Sequence, residues 1–273
     1  MRGYAAHVRL YLEPYLGNVL LAELSVAHLQ AMFTAIVRQH QAAGSPVTAA
    51  TLHRIRATLR AALNAALRRG LIGDNPAGRA ELPRSRCPRA VVWTSERTQH
   101  WQRTGERQPV AVWTAAQTVQ FVRSIQGHRL YAAYHLIAPR GLRRGEAAGL
   151  RWRDVDLDGE AAFICQPLQE SDVQLTVCPP KTSHSVRVIA LDHMTVAALR
   201  AHRGRQCAEA ASFGPGYHAS SYAFTNLNGD PMAADRLSRN FTKLADEAGL
   251  PPIRLHDLRH GAATLALAAA SGF

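Results

Sequence analysis

The sequence predicts a mainly α-helical protein with a small antiparallel sheet, divided into two domains. Apolar residues recur at helical spacing through residues 1 to 82, whereas short β-prone runs separated by polar turns stand between 161 and 191. The chain has 273 residues and 47% hydrophobic content, which exceeds one ordinary domain and is enough to bury two cores. We therefore expect an all-helical first domain followed by a mixed α+β second domain.

The first domain, residues 1 to 82, is predicted to contain three helices. Ser25 is the expected N-cap of the second helix, and the third follows Pro46 and ends near Gly70. The apolar stripe of the third helix consists of Leu52, Ile55, Leu59, Leu63 and Leu67.

The polar face of that third helix contains several arginines. Arg54, Arg56 and Arg60 are predicted to contact DNA, although every amphipathic helix has a solvated face and these arginines could belong to an ordinary one.

Residues 83 to 109 are predicted to form an interdomain linker, because Arg, Pro, Ser, Thr and Gln dominate there and aliphatic residues are few. The second domain then spans 110 to 273. Its first helix opens with a predicted capping box, Thr114-x-x-Gln117, and a second helix runs from about 129 to 138.

The middle of the second domain is predicted to be the antiparallel sheet. Its strands are expected at Ala161 to Cys165, Gln174 to Val177 and Val186 to Leu191. Helices are expected to return at about 193 to 211 and 232 to 248.

The charge of the chain favours a polyanionic partner. Thirty-two Lys and Arg residues against twenty Asp and Glu residues give a formal net charge of +12, and nucleic acid is the first partner that such a balance indicates. A GC-rich genome, which favours Arg and Ala codons, is the alternative explanation.

The cysteines predict no disulfide framework and no zinc knuckle. Cys87, Cys165, Cys178 and Cys207 are widely spaced and form no Cys-x-x-Cys pair, so a reducing cytoplasm fits best. The N-terminal residues have no apolar signal core, and no run approaches the roughly 18 apolar residues of a membrane span. We expect a soluble, intracellular protein.

Two short segments carry the chemistry, namely 141–146 (Gly-Leu-Arg-Arg-Gly-Glu) and 256–260 (His-Asp-Leu-Arg-His). The first supplies Arg143, and the second supplies His256 and Arg259. Arginine suits a phosphate because its planar fork donates two parallel hydrogen bonds and stays charged at any relevant pH. If folding brings these side chains together, they form a clamp on one phosphate.

The second segment has one alternative interpretation. His256 and His260 are four residues apart, which is also the spacing of the zinc-binding histidines on a helix, so a zinc-dependent hydrolase is the alternative function. Against it, Asp257 replaces the catalytic Glu of such helices with a shorter arm, Arg259 would place a cation beside the metal, and no third ligand stands out downstream. We expect no metal.

The order of the motifs resembles the tyrosine recombinases of the phage-integrase type. The resemblance rests on Gly141-Leu-Arg143-x-x-Glu146-x-x-x-Leu150-x-Trp152, then Pro180-Lys181-Thr182, then Leu255-His256-Asp257-Leu258-Arg259-His260. It implies that Arg143, Lys181, His256 and Arg259 are catalytic, with Lys181 as the general acid on a hairpin. Glu146, Asp257 and His260 would support them.

The resemblance also implies a function and partners. The family performs site-specific recombination of double-stranded DNA without a cofactor, and its core-binding and catalytic domains form a clamp around the duplex. A member of this family would be prokaryotic or phage-derived, would be associated with the nucleoid, and could self-associate up to a tetramer.

The ends of the chain depart from the family pattern. The nucleophilic tyrosine of the family lies well downstream of the His-x-x-Arg, whereas the residues after His260, 261 to 273, contain no tyrosine, and Tyr217 and Tyr222 precede the motif. The first residues look like the inside of the first core-binding helix. The expectation is a recombinase body lacking its C-terminal helices and nucleophile, and inactive alone.

Two other hypotheses remain open at this stage. The chain could be a DNA-binding remnant that occupies or represses a recombination site without catalysis. It could also supply Arg143, Lys181, His256 and Arg259 to the tyrosine of a partner protomer.

Overall fold

A computed structural model describes residues 2–85, 88–165, 168–170, 175–177, 186–258 and 261. The chain forms two compact units, Met1–Pro88 and Arg89–Phe273. The architecture is mainly α-helical with small sheets, which confirms the predicted fold class. Among the helices of the described ranges, none combines the length and apolar character needed to cross a membrane.

The described part of the first unit is built from helices and turns. Its helices are α1 (Arg2–His7), a π-helical turn (Val8–Leu12), α2 (Glu13–Leu16), α3 (Val26–Ala42) and α4 (Ala49–Arg68). Their buried apolar faces form one core of Leu12, Leu29, Met32, Phe33, Ile36, Leu52, Ile55, Leu59 and Leu63, with Ala77 and Ala80 of the following segment.

The two long helices of this unit begin where the sequence places their caps. The Ser25 hydroxyl accepts from the backbone N–H of His28 at the start of α3, and the Thr48 hydroxyl accepts from the N–H of Thr51 at the start of α4. Gly70, with φ of 69°, adopts the left-handed conformation that ends α4. The predicted positions of Ser25 and Gly70 are therefore confirmed.

Within the described residues, the second unit contains six α-helices and a further helical turn at 255–258. They are α5 (Ser95–Thr104), α6 (Ala115–Ser124), α7 (Tyr131–Arg140), α8 (Arg144–Ala148), α9 (His193–Phe213) and α10 (Ala234–Glu247), with residues 255–258 helical again. The strands are β1 (Val91–Val92), β2 (Ala111–Val112), β3 (Val155–Asp156), β4 (Ala161–Ile164), β5 (Leu168–Glu170), β6 (Leu175–Val177) and β7 (Arg187–Ala190).

The main sheet is antiparallel and has the order β3-β4-β7. Strand β4 lies in the centre, with Ala162 opposite Val155 of β3 on one side and opposite Ile189 of β7 on the other. Strands β5 and β6 form a separate antiparallel pair. The small antiparallel sheet was predicted, whereas the separate pairing of β5 with β6 was not.

The segment 83–109, which the sequence predicts as a linker, contains regular structure from residue 91 onward. Strand β1 pairs in parallel with β2, helix α5 follows, and Trp93 is 1% exposed in the core of the second unit. The boundary between the two compact units lies at Pro88. The polar composition of the segment does not indicate this structure, because burial of Trp93 and the pairing of Val91 and Val92 with β2 are enough to attach the segment to the core.

The same segment begins an internal repeat that the sequence reading did not recognise. Val92-Trp93-Thr94 recurs twenty positions later as Val112-Trp113-Thr114. Each copy forms a short strand, a buried tryptophan and a threonine N-cap that opens a helix, α5 or α6. The parallel pairing places Val92 opposite Val112, so the two copies lie side by side.

Candidate active site

The first site segment is the tight connection between α7 and α8. Helix α7 contains Pro139 in its last turn and ends at Gly141, whose φ of 61° is left-handed. Leu142 is 2% exposed and fixes the connection to the core. The next residue, Arg143, is the N-cap of α8. A glycine is required at 141 because a side chain there would be strained.

Glu146 accepts four hydrogen bonds and is 4% exposed. Its carboxylate accepts from the Arg143 backbone N–H (2.9 Å) and from Arg143 Nη1 (2.7 Å). Arg187, at the start of β7, donates to both carboxylate oxygens through Nη1 (3.2 Å) and Nη2 (2.9 Å). Burial alone raises the pKa of Glu146, but the hydrogen bonds from Arg187 and Arg143 outweigh it and leave the pKa below its ordinary value.

The arrangement leaves Arg143 available for a ligand. The side chain of Arg143 is 51% exposed although it pairs with the buried carboxylate of Glu146. The N–H groups of its guanidinium that do not face Glu146 can therefore donate to an anion on the surface. The exposure of Arg143 permits contact with a phosphate, and its catalytic role stays a prediction.

Arg187 is a functional candidate that the sequence analysis missed. It is 41 residues from Glu146 and lies in a predicted β-strand, so no local spacing connects the two. Arg187 is the first residue of β7 and follows Lys181 by six positions, and this closeness to a predicted catalytic residue is the sequence signal that could have indicated its role.

The second site segment begins with a similar arrangement. Asp257 is 1% exposed and accepts from the Arg254 backbone N–H (3.1 Å), Nε (2.8 Å) and Nη2 (2.8 Å). An arginine that precedes a helical turn and an acid three residues later therefore occur at both segments, as Arg143 with Glu146 and as Arg254 with Asp257. In each case the acid satisfies a backbone N–H that the start of a helix would leave without a partner.

His256 lies between these anchored residues and is exposed. Its neighbours Leu255 and Leu258 are 4% and 3% exposed in the core of the second unit. The buried residues thus hold the backbone of 255–258 in place while the imidazole faces the surface.

Two tryptophans of the internal repeat hold the approach to this segment. Trp113 Nε1 donates to the Pro251 carbonyl (2.7 Å), and Trp93 Nε1 donates to the Pro252 carbonyl (3.2 Å). The two copies of the repeat, offset by twenty residues, therefore bind two consecutive carbonyls four and five residues before His256. Sequence reasoning missed this role because it placed Trp93 in a linker.

Three of the predicted site residues cannot be placed. Lys181, Arg259 and His260 lie outside the described residues. Within the ranges that the structure describes, no group of three or more His, Cys, Asp or Glu side chains is arranged to hold a metal ion.

The arginines predicted to contact DNA in the first unit divide into two kinds. Arg54 and Arg60 are exposed, and their guanidinium groups have no hydrogen-bond or ion-pair partner among the described residues. Arg56 is half-buried, donates to the Ala80 carbonyl (2.9 Å) and contacts His53 (3.3 Å). Arg56 therefore attaches the segment after α4 to the helix, which is a structural role.

Tyrosines of the second unit are engaged in its packing. Tyr134 is fully buried, and its hydroxyl donates to the Leu237 carbonyl (2.8 Å). Burial raises its pKa, so its hydroxyl is poorly suited to attack a phosphate. The Tyr222 hydroxyl accepts from Arg151, whose guanidinium also lies over the Tyr222 ring.

Comparison with known proteins identifies the family of the chain. Residues 110–270 match the model of the phage integrase family. The chain therefore belongs to the phage integrase family, the tyrosine recombinases.

Two curated relatives illustrate the match. A tyrosine recombinase XerC-like protein of Caldanaerobacter subterraneus subsp. tengcongensis is 29% identical over 157 residues, which cover 52% of this chain and 39% of that protein. A prophage phiRv2 integrase of Mycobacterium tuberculosis is 27% identical over 265 residues, covering 97% of this chain and 64% of the relative. The chain thus spans about two fifths to two thirds of the length of these relatives.

Solved structures share the fold. The Tn1549 transposon integrase in complex with transposon right end DNA has a TM-score of 0.70 at 19% identity, covering 100% of this chain and 81% of that one. A lambda integrase dimer bound to a COC' core site has a TM-score of 0.56 at 18% identity, covering 97% and 63%. The likeness to the first structure extends over the whole of this chain.

Proposed function

We propose that this chain binds duplex DNA and holds the phosphate at which a site-specific tyrosine recombinase breaks and rejoins a strand. The observation that carries the proposal is the pairing of a half-exposed Arg143 with a buried Glu146 whose charge is already satisfied. Such an arginine is held in one orientation and still has donors free for an anion.

The proposed site stabilises negative charge. In the transition state of phosphodiester cleavage, charge on the non-bridging oxygens rises, and preorganised donors stabilise it without reorganising. Arg143 and Arg259 are proposed as these donors. His256, on the anchored turn 255–258, and Lys181 are proposed to complete the site, with Lys181 giving a proton to the leaving 5′-hydroxyl oxygen.

The nucleophile of the reaction is proposed to be a tyrosine of the recombination complex. Its hydroxyl loses its proton to a base of the site or to water as its oxygen forms a bond to phosphorus, and the bond from phosphorus to the 5′-oxygen breaks. The resulting 3′-phosphotyrosyl link conserves the energy for rejoining. The buried Tyr134 and the arginine-bound Tyr222 are unsuited to this role. We propose that Arg143 and its partners can serve a tyrosine supplied by another protomer.

The partners follow from the family and the charge. The solved relatives include a lambda integrase tetramer bound to a Holliday junction, and we propose that this chain also acts as a multimer on DNA. The excess of positive charge, +12 at neutral pH, favours that encounter. We place the reaction in the cytoplasm of a bacterial host, on nucleoid or phage DNA.

A nicked suicide duplex tests both parts of the proposal. We expect the 273-residue chain to bind this DNA at low salt with an affinity that falls steeply as salt rises, because cations bound to phosphates are released. Alone, it should form no covalent adduct. Mixed with a relative that retains its tyrosine but lacks its first catalytic arginine, it should restore adduct formation on the relative.

The outcomes separate the alternatives. Failure to bind duplex DNA at low salt contradicts the proposal as a whole. Binding without restored cleavage limits the chain to a DNA-binding role. An adduct formed by this chain alone contradicts the assignment of the nucleophile to a partner.

A further inference from the structure

Arg187 contacts the site through the carboxylate of Glu146. Its two terminal nitrogens lie 3.2 and 2.9 Å from the two carboxylate oxygens, the geometry of a bidentate ion pair. Arg143 binds the same carboxylate from the other side, through Nη1 and through its backbone N–H. Three charged side chains from α8, its N-cap and β7 therefore form one hydrogen-bonded cluster.

The charge of this cluster depends on Arg187. Two positive guanidinium groups meet one negative carboxylate, so the cluster has one positive charge in excess. Without Arg187, Arg143 and Glu146 would form a pair with no net charge, and the buried carboxylate would oppose the approach of a phosphate. Because Glu146 is 4% exposed, solvent screens this opposition poorly.

The side chains differ in how far they reach the surface. Arg187 is 30% exposed and Arg143 is 51% exposed, and both terminal nitrogens of Arg187 are directed to Glu146. Arg143 is thus placed to touch a ligand, whereas Arg187 is placed to act on Glu146.

We propose that Arg187 is a positioning residue of the phosphate site: it neutralises Glu146, so that the positive charge of Arg143 is not compensated by that carboxylate and its guanidinium is held in place for the DNA phosphate. The inference rests on the proposed phosphate-binding function. Arg187 also begins β7, the strand that follows the Lys181 segment in sequence, so this ion pair attaches β7 to the start of α8.

The test compares salt dependence of duplex binding among variants of the 273-residue chain. Arg187→Met should lower the slope of log affinity against log salt by about 0.9, the same loss as Arg143→Met, because each change removes the excess charge of the cluster. Over a fourfold change in salt, that is about a 3.5-fold smaller loss of affinity. Arg187→Lys should retain most of the slope.

A double variant distinguishes charge from folding. Arg187→Met with Glu146→Gln restores the excess positive charge without restoring the ion pair, and we expect its slope to return towards that of the unaltered chain. Arg200→Met is the matched control, since Arg200, on α9, is a half-exposed arginine that bonds to Asp158 and the Leu157 carbonyl and to none of the three residues of the cluster. Its slope should not change by the amount seen for Arg187→Met.

The results that overturn the inference are distinct from failure of the proposed function. If the unaltered chain does not bind DNA, the proposed function is wrong. If it binds and Arg143→Met lowers the slope while Arg187→Met does not, only the role of Arg187 is wrong. If the double variant is no better than Arg187→Met although its unfolding curve shows that it is folded under the conditions of the binding measurement, the neutralising role is also wrong.

Discussion

Glu146 shows how a single buried acid can serve both the fold and the site. It accepts from the backbone N–H of Arg143, the N-cap of α8, binds the Arg143 side chain, and binds Arg187, the first residue of β7. An acid that accepts this many charge-assisted hydrogen bonds is stabilised in its ionised form even though burial opposes ionisation.

The lowered pKa of Glu146 predicts how stability depends on pH. Because the pKa is lower in the folded chain than its ordinary value of 4.5, the contribution of Glu146 is fully present above that value and is lost as pH falls through the folded pKa. Glu146→Gln should reduce the free energy of unfolding by about 2 kcal/mol at neutral pH. The difference between the two proteins, measured by urea unfolding, should narrow below about pH 4.5.

Glu247 provides the control for this measurement. It is an exposed acid at the end of α10 that pairs only loosely with Lys243, at 3.6 Å. Glu247→Gln should leave the free energy of unfolding almost unchanged at every pH. An equal loss in both variants, or a constant difference for Glu146→Gln down to pH 3, would contradict the account of Glu146.

At the residue scale, sequence predicts pairs that are close along the chain and misses those that are not. Arg143 and Glu146 are three residues apart, and this spacing is sufficient to predict that their side chains meet on one helical turn. The bond from Arg187 depends on how a strand packs against a helix 41 residues earlier, and local spacing contains no such information. Arg254 and Asp257 have the same spacing of three residues as Arg143 and Glu146, so the sequence contains the signal for that pair as well.

The repeated strand, tryptophan and helix is the element that prepares the second site segment. Each copy donates one indole N–H to one of two consecutive carbonyls, those of Pro251 and Pro252. Pro251 and Pro252 lie outside helices and strands, so regular backbone pairing gives their carbonyls no donor and one must come from elsewhere. The tryptophans meet that need.

Trp113→Phe tests the importance of this contact. The change leaves an aromatic ring but removes the N–H that binds the buried Pro251 carbonyl, so we expect a loss of about 2 kcal/mol in the free energy of unfolding. Urea unfolding followed by circular dichroism measures it.

Trp101→Phe is the matched control for that variant. Trp101 occupies the corresponding place in the first copy to Phe121 in the second and is half-buried beside Trp93, with ring centroids 6.1 Å apart. Its replacement by phenylalanine should be less destabilising than Trp113→Phe. The opposite order would show that ring packing, and not the hydrogen bond, holds the segment.

At the element scale, the sequence predicts long helices well and short elements poorly. Helices α3, α4 and α6 have side-chain caps and apolar residues that recur at helical spacing along their length. Strands β1 and β2 have two residues each, so neither shows an alternation. Their tertiary pairing, and the burial of Trp93, override the polar composition of the segment that contains them.

For the whole molecule, the first unit contributes a basic helix and the second unit contributes the proposed site. Replacing exposed and half-buried arginines of α4 should have opposite effects on DNA binding and on stability. Arg54→Ala with Arg60→Ala should lower the salt slope of DNA binding by up to about 1.8 with little change in stability, because both guanidinium groups are exposed.

Arg56→Ala should show the reverse pattern. It removes the bond to the Ala80 carbonyl and should lower the free energy of unfolding by about 1 kcal/mol, while the salt slope stays the same. Denaturant unfolding and fluorescence-anisotropy titrations on the same preparations measure both effects. If the variant with both Arg54→Ala and Arg60→Ala has the same salt slope as the unaltered chain, α4 is not part of the proposed DNA interface.

At this scale the sequence was sufficient for the family and the fold class, because ordered motifs and helical periods survive divergence to below 30% identity. Which arginines face solvent was not predictable, because residues of one type on the same helix differ in what packs beside them. Arg54 and Arg56, two positions apart, show this difference.

The central claim is that Arg143, oriented by Glu146, binds a phosphate of duplex DNA. The most direct measurement is the salt dependence of duplex binding by the unaltered chain and by Arg143→Met, with unfolding curves to establish that both are folded. The account predicts a slope lower by about 0.9 in the variant. Equal slopes for two folded proteins, both of which bind, would contradict it.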